Sequence, residues 1–255
     1  MVASAISSAQ AIPNGGETRI LKTAVLFDLG QTLVAYYERS EFPGILDEAI
    51  RAVEEFLRGK HMLNASPEDI RRGVEAENHE ASDYRVRPLE ERLIRIFHLQ
   101  ASELPDLLTS GMCRRFMNPV FTRARRYDDV LPTLRSLKTH GVKTAIVSNS
   151  PWGSPAYLWR EEINRLGLGE HVDAAVFCGD VGWRKPAWQI FQCTVEKLSV
   201  HPSECIFVGD DPRWDLVGPR TFGMEAILID RKGALPARAE KPIRSLHELL
   251  PRLCG

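Results

Sequence analysis

Three short apolar runs, each stopping at a residue capable of chemistry, constrain this chain more than any other feature. Thr23 to Phe27 ends at Asp28, Thr144 to Val147 ends at Ser148, and Cys205 to Val208 ends at Gly209 and Asp210. The runs are rich in β-branched and aromatic residues and almost unbroken in hydrophobicity, as in strands buried on both faces. Ala174 to Phe177 and Ala226 to Ile229 have the same character and supply a fourth and fifth strand. Helical patterns lie between them. Leu131, Leu134 and Leu137 line one face of a helix that stops at Gly141, with Asp128 or Asp129 as its N-cap. Pro186 to Leu198 carries Ile190, Phe191 and Val195 at helical spacing. Strand and helix in alternation predict an α/β fold with a Rossmann-like parallel sheet at its core. Ligands of such sheets gather at the carboxyl ends of the strands, where Asp28, Ser148 and Asp210 must sit.

The stretch from about residue 36 to 126 shows no buried-strand pattern. Leu46, Ile50, Val53 and Leu57 recur at helical spacing, as do Leu89, Leu93 and Ile96. Ser66 followed by Pro67 opens a strongly charged helix. This region is expected to be an all-helical insert spanning 36–126, with the core formed by 23–35 and 127–255 and a flexible tail at 1–22. The basic run Arg123, Arg125 and Arg126 is followed at once by Asp128 and Asp129, and reads as a solvated helix end or, more sharply, as a contact for a substrate anion.

Composition narrows the class. At 255 residues and 44% hydrophobic, the chain can bury a core without metals or disulfides. The net charge of -1 gives no electrostatic case for nucleic acid or an anionic membrane. Five scattered cysteines, none in a CxxC pair, point to neither a disulfide framework nor a zinc site. No apolar run approaches the roughly 20 residues needed to span a bilayer. The N-terminal residues lack the basic start and compact apolar stretch of a secretory signal, so a cytoplasmic location is expected.

Four segments carry a resemblance. AVLFDLGQTLV has an Asp ending a strand and a Thr four residues on, Asp28 and Thr32. AIVSNS offers Ser148 and then Asn149. GWRKPAWQIF places Lys185 before Pro186. VGDDPRWD holds Asp210, Asp211 and Asp215. In this order they resemble the four motifs of the haloacid dehalogenase-like (HAD) hydrolases, and Gly223 and Ile227 to Arg231 look like that family's closing strand. Each alone is weak; four in order, each at a strand end or helix start, are specific. The helical insert resembles the family's helical cap, in its phosphatase-type branch.

The resemblance implies a magnesium-dependent hydrolase acting on a small phosphomonoester. Asp28 would be a covalent nucleophile and Lys185 a cation beside it. Thr32 and Ser148 would donate hydrogen bonds to phosphoryl oxygens. Mg²⁺ would be held by Asp28, the carbonyl of Gly30 and Asp210, with Asp211 and Asp215 assisting. The physical reason is charge: a carboxylate can attack a phosphate dianion only where cations offset their repulsion. Attack by Asp28 would give an aspartyl-phosphate that water hydrolyses. Asn149, Trp152 and Trp183 are candidates for the substrate wall, together with Trp214; the duller reading has the tryptophans packing beneath the cap. Tyr36, Tyr37, His79 and Arg85 are cap residues that could read the substrate.

One position departs from the pattern. Family phosphatases carry a second Asp two residues after the nucleophile as general acid and base; here it is Gly30. Loss of a positioned acid typically costs about 10²–10⁴-fold. Substrates with good leaving groups, a cap residue or metal-bound water in its place, or a weakly active or regulatory protein would each accommodate that. Dehalogenase and phosphonatase branches also lack this Asp. The acidic cluster argues against a metal-free dehalogenase. Lys60, the one lysine between Tyr36 and Arg126, is a poor Schiff-base candidate in a polar stretch.

Overall fold

The computed structural model describes residues 22–79, 82–100, 104–234 and 241–254. Apart from Lys22, the expected tail lies outside the described residues. The strands are β1 (Ala24–Phe27), β2 (Val34–Ala35), β3 (Arg125–Arg126), β4 (Lys143–Ser148), β5 (Ala174–Phe177), β6 (Cys205–Gly209) and β7 (Glu225–Leu228). Five of them make one parallel sheet in the order β5-β4-β1-β6-β7. The central strand β1 is completely enclosed.

The unbroken hydrophobicity of these runs has a direct structural cause. Val25, Phe27, Ile146, Ile206 and Val208 face one apolar layer, while Ala24, Leu26, Ala145, Val147 and Phe207 face another. Alternate side chains of a strand point to opposite faces, so a strand with helices on both sides needs apolar residues at every position. The first layer is closed by α5 (Val130–Thr139) and α6 (Ala156–Arg165), through Leu134, Leu137, Leu158 and Ile163. The second is closed by α8 (Trp188–Leu198), through Ile190, Phe191, Val195 and Leu198. That helix begins two residues after the expected Pro186, because Lys185 and Pro186 form a turn leading into it. The short α7 (Cys178–Val181) follows β5, α9 (Val217–Thr221) precedes β7, and α10 (Leu249–Cys254) closes the chain.

Between β2 and β3 run α1 (Phe42–Gly59), α2 (Pro67–Glu77), α3 (Leu89–Ile96) and α4 (Asp106–Phe121). In α1 the buried residues Leu46, Ile50, Val53 and Leu57 form a single stripe, and the helix packs on α4 through it. Ser66 caps α2 reciprocally with Asp69: its hydroxyl accepts from the Asp69 N–H at 3.2 Å, and the Asp69 carboxylate accepts from the Ser66 N–H at 3.3 Å. The apolar layer of these helices is continuous with one face of the sheet.

Three expectations need correcting. Residues 36–126 are not wholly helical: Arg125–Arg126 pairs antiparallel with Val34–Ala35, and Arg85 bridges to Trp183. Pairings of one or two residues leave no periodicity to read. The basic run is not simply solvated, since Arg123 grips Glu48 at 2.9 and 3.0 Å and Arg126 donates to the Leu166 carbonyl. Asp129 stands at the N-cap of α5 without capping it. Its carboxylate instead accepts from Arg231 at 2.7 Å and from the Ser245 hydroxyl and Leu246 N–H at 2.8 Å each, tying α5 to the C-terminal segment. No helix among the described residues is long and apolar enough to cross a membrane.

Candidate active site

The carboxyl ends of β1, β4 and β6 converge with the turn entering α8. Asp28 follows β1 directly and its N–H donates to the Val208 carbonyl of β6 at 2.9 Å, so neighbouring strands fix its backbone. The Lys185 ammonium lies 2.6 Å from Asp28 Oδ1 and 2.7 Å from Asp215 Oδ1, and is 2% exposed. Asp215 reaches this point because β6 ends in glycine. A Cβ at Gly209 would collide with the Asp215 side chain, so only glycine lets the two segments close. The second Asp215 oxygen accepts from the Asp211 N–H at 3.0 Å. Asp28, Asp210 and Asp215 each place a carboxylate oxygen within 4.8 Å of the others.

This packing of charge shifts the acids. Burial pushes the Asp28 carboxyl up to about 6; Lys185 opposes that rise and Asp215 adds to it. Asp210 is pushed up to about 8 by burial, reinforced by Asp28 and Asp215. Burial alone would lower the Lys185 pKa, but Asp215 and Asp28 overcome it, and the ammonium is held above its usual range. Three carboxylates against one ammonium leave two formal negative charges when all are ionised. Hard oxygen donors with that surplus have the donor chemistry of a Mg²⁺ site.

The other expected residues fall into two groups. Gly30 and Ser148 line the same cavity as Asp28 and Lys185, and so do Asn149, Trp152 and Trp214. Asn149 is committed to a neighbour, since its Oδ1 accepts from the Lys185 N–H at 2.7 Å and its Nδ2 donates to the Lys185 carbonyl at 3.2 Å. The amide thus holds the backbone of Lys185 rather than presenting itself wholly to a substrate. Gln31 joins two tyrosines, donating to the Tyr37 carbonyl at 2.6 Å and accepting from Tyr127 at 3.3 Å.

Thr32, Trp183 and Asp211 stand differently from expectation. Thr32 is fully buried, does not line the cavity, and has no hydrogen-bond partner for its hydroxyl among the described residues. The turn after Asp28 folds back through the Leu29 carbonyl, which accepts from Leu33 and Val34 at 3.0 Å each, and encloses Thr32. Trp183 is also outside the cavity lining; the Arg85 guanidinium lies over its ring at 4.1 Å. The Asp211 carboxylate is taken by Arg213, at 3.0 and 2.6 Å, and does not join the acidic cluster.

The cavity has a volume of about 710 Å³ and extends from the acidic cluster to the inserted helices. Several of its residues were not singled out from sequence. Ser150 is 3% exposed and its hydroxyl has no partner among the described residues. Arg92, on the inner face of α3, is 7% exposed. A charged residue at a buried position of an otherwise amphipathic helix is a signal the sequence did contain. Tyr36, by contrast, was expected among the cap residues that could read the substrate; it stands beside Gly30, its ring 3.9 Å from where a Cβ there would lie, and its buried hydroxyl is likewise unpartnered among the described residues.

The comparisons agree with this geometry. A model described as haloacid dehalogenase-like hydrolase matches residues 22–223. The ribulose-1,5-bisphosphate 5-phosphatase of Halopiger xanaduensis is 28% identical over 216 residues, 82% of this chain and 85% of that one. The (S)-2-haloacid dehalogenase 4A of Burkholderia cepacia is 31% identical over 161 residues, 62% of this chain and 66% of that one. Among solved structures, an HAD phosphatase from Thermococcus onnurineus superposes with a TM-score of 0.63 at 26% identity, covering 91% of this chain and 98% of its own. With the parallel sheet, the acidic cluster and the family match over most of its length, this chain belongs to the haloacid dehalogenase-like hydrolases.

Proposed function

We propose that the protein is a Mg²⁺-dependent phosphatase of small phosphomonoesters that works through a phosphorylated Asp28. The carrying observation is the Lys185 ammonium wedged between Asp28 and Asp215, with Asp210 beside them, in a cluster that has two surplus negative charges when all are ionised. A cation-deficient set of carboxylates at the end of a cavity fits a divalent ion better than it fits metal-free chemistry. Phosphatase relatives such as the Halopiger xanaduensis enzyme support the substrate class.

Asp28, Asp210 and the Gly30 carbonyl would hold the ion, with Asp215 orienting Lys185. When bound, the ion supplies charge neutralisation to the phosphoryl oxygens and to Asp28. An Asp28 oxygen attacks phosphorus, the bond to the ester oxygen breaks, and the departing alkoxide takes up a proton. Water then attacks the aspartyl-phosphate, releasing inorganic phosphate and restoring the carboxylate. Ser148 donates a hydrogen bond to a phosphoryl oxygen, and Lys185 offsets the charge shared between nucleophile and phosphate. The inserted helices, residues 36–126, act as a cap that excludes water from this step.

The test is hydrolysis of an activated aryl phosphate with Mg²⁺, run beside Asp28→Asn and with a chelator. The expected result is turnover in the first reaction and loss in the other two, with beryllium fluoride trapped on Asp28. Halide release from a haloacid that survives chelation would replace this reading with a dehalogenase. Silence across a panel of natural phosphates would leave a binding or regulatory role.

A further inference from the structure

Arg92 carries a buried charge that the reaction just described does not use. It is 7% exposed on α3 and lines the cavity, yet its Nε has no hydrogen-bond partner among the described residues. One terminal nitrogen donates to the Glu77 carbonyl at 3.2 Å. The nearest carboxylate approach is Glu77 at 3.9 Å, and Glu77 is already gripped by Arg95 at 2.6 and 3.1 Å. Beyond Glu77, the charged groups around it are positive. Burial lowers the Arg92 pKa, Glu77 resists, and Arg184, Arg95 and Arg87 lower it further. A desolvated guanidinium that shares its one carboxylate neighbour with Arg95 is only partly compensated, and a ligand anion would complete the balance.

The backbone around it is closely fitted. The Arg87 carbonyl occupies the space a Cβ of Gly153 would need, so only glycine permits this approach. Beside Gly153, Trp152 adopts a left-handed backbone at φ 54° and lays its ring 5.2 Å from the Arg92 guanidinium. Val86 donates to the Gly182 carbonyl at 3.0 Å and Arg184 to the Tyr84 carbonyl at 2.8 Å, pinning this part of the insert beside the Lys185 turn. Lys185 and Arg92 therefore line one cavity.

We infer that Arg92, with Arg87 and Trp152 alongside, forms a second oxyanion site that takes the distal carboxylate or phosphate of a small doubly anionic substrate. The inference rests on the phosphatase reading for the reacting end alone. A planar guanidinium that lines the cavity and is only partly matched by Glu77 is suited to a carboxylate or phosphate, and Trp152 covers its face.

The test compares glycerol phosphate, phosphoglycerate and glycerol bisphosphate, which differ in whether a carboxylate, a phosphate or neither lies beyond the reacting ester. Wild type is expected to favour one doubly anionic compound over glycerol phosphate by about tenfold or more in kcat/KM, mainly through KM. Which compound wins identifies the distal group. Arg92→Met should reduce that ratio to within about threefold of unity, and Arg92→Lys should fall between. Exposed Arg71→Ala should keep the wild-type ratio, and circular dichroism checks that each variant is folded. No preference in wild type, or a preference that survives in folded Arg92→Met, overturns the site. Calorimetric titration of Asp28→Asn with glycerol phosphate and with each of phosphoglycerate and glycerol bisphosphate separates the two readings. Discrimination lost with Arg92→Met upholds the oxyanion site even if no ester is hydrolysed; equal binding of all three compounds overturns it.

Discussion

The Lys185 ammonium lies 2.6 Å from Asp28 Oδ1, and neither side chain has more than slight contact with solvent. Asp215 holds the same nitrogen at 2.7 Å, so one cation serves two buried carboxylates. Lys185→Met would leave both without it. Breaking a buried pair on one side typically costs about 3–5 kcal/mol, and that loss is expected in denaturant unfolding followed in chelator. Adding Asp28→Asn to the same chain should restore part of it, because one uncompensated charge goes as well. A single-variant loss below about 1 kcal/mol would show that the ammonium contributes little to the fold.

Asn149 acts through Lys185. Both hydrogen bonds of its amide go to the Lys185 backbone, at 2.7 and 3.2 Å. Asn149→Ala should lower stability by about 1–3 kcal/mol, the usual range for orphaned backbone groups. It should also lower kcat with little change in KM, because a displaced ammonium is felt most as charge develops. An Asn149→Ala protein with raised KM and unchanged kcat would return Asn149 to direct substrate binding.

Legibility in the sequence followed burial. The strands ending at Asp28, Ser148 and Asp210 could be read because helices cover both faces of the sheet, and such strands have no polar face to interrupt the pattern. Asp28, Lys185, Asp210 and Asp215 share one pocket in the structure, as the order of their motifs required. What could not be read depends on contacts between distant segments. Thr32 faces inward because the turn after Asp28 folds back, and Asp211 is lost to its neighbour Arg213. Trp183 is drawn aside by Arg85, nearly a hundred residues earlier in the chain. Arg92 gains its meaning from Trp152 and from the junction at Gly153, which no local pattern announces.

Tyr36 is the side chain beside the gap left by Gly30. Its ring stands next to the position a Gly30 side chain would occupy, and its buried hydroxyl has no partner among the described residues. Burial, then Glu162 and Asp28, raise its pKa well above the usual phenol value, so at neutral pH it remains a proton donor. On the phosphatase reading, Tyr36→Phe should slow alkyl phosphates about tenfold more than an activated aryl phosphate, whose leaving group needs little protonation. An equal effect on both would assign Tyr36 to packing against Trp159, whose ring it meets edge-on at 5.6 Å.

The acidic cluster also predicts a pH dependence that metal should reverse. Asp210 rises from 3.8 to about 8 in the folded chain and Asp28 from 3.8 to about 6. A carboxyl whose folded pKa is raised favours the folded state most when protonated. Its contribution is therefore complete below the unfolded value and lost as pH climbs through the folded one. In chelator, the part of stability owed to these two groups should decline from about pH 4 to pH 8, with the share of Asp28 gone by about pH 6. A divalent ion binds the ionised forms, so Mg²⁺ must displace the Asp210 proton below pH 8. Its apparent affinity should then rise toward about tenfold per pH unit in that range and level off above it. Thermal melts at about pH 5.5 and 8.5, with and without Mg²⁺, read both effects. A larger Mg²⁺ stabilisation at the alkaline value is expected for wild type, and Asp210→Asn should flatten the difference. Equal Mg²⁺ shifts at both values would mean that the ion, if it binds, does so away from Asp210.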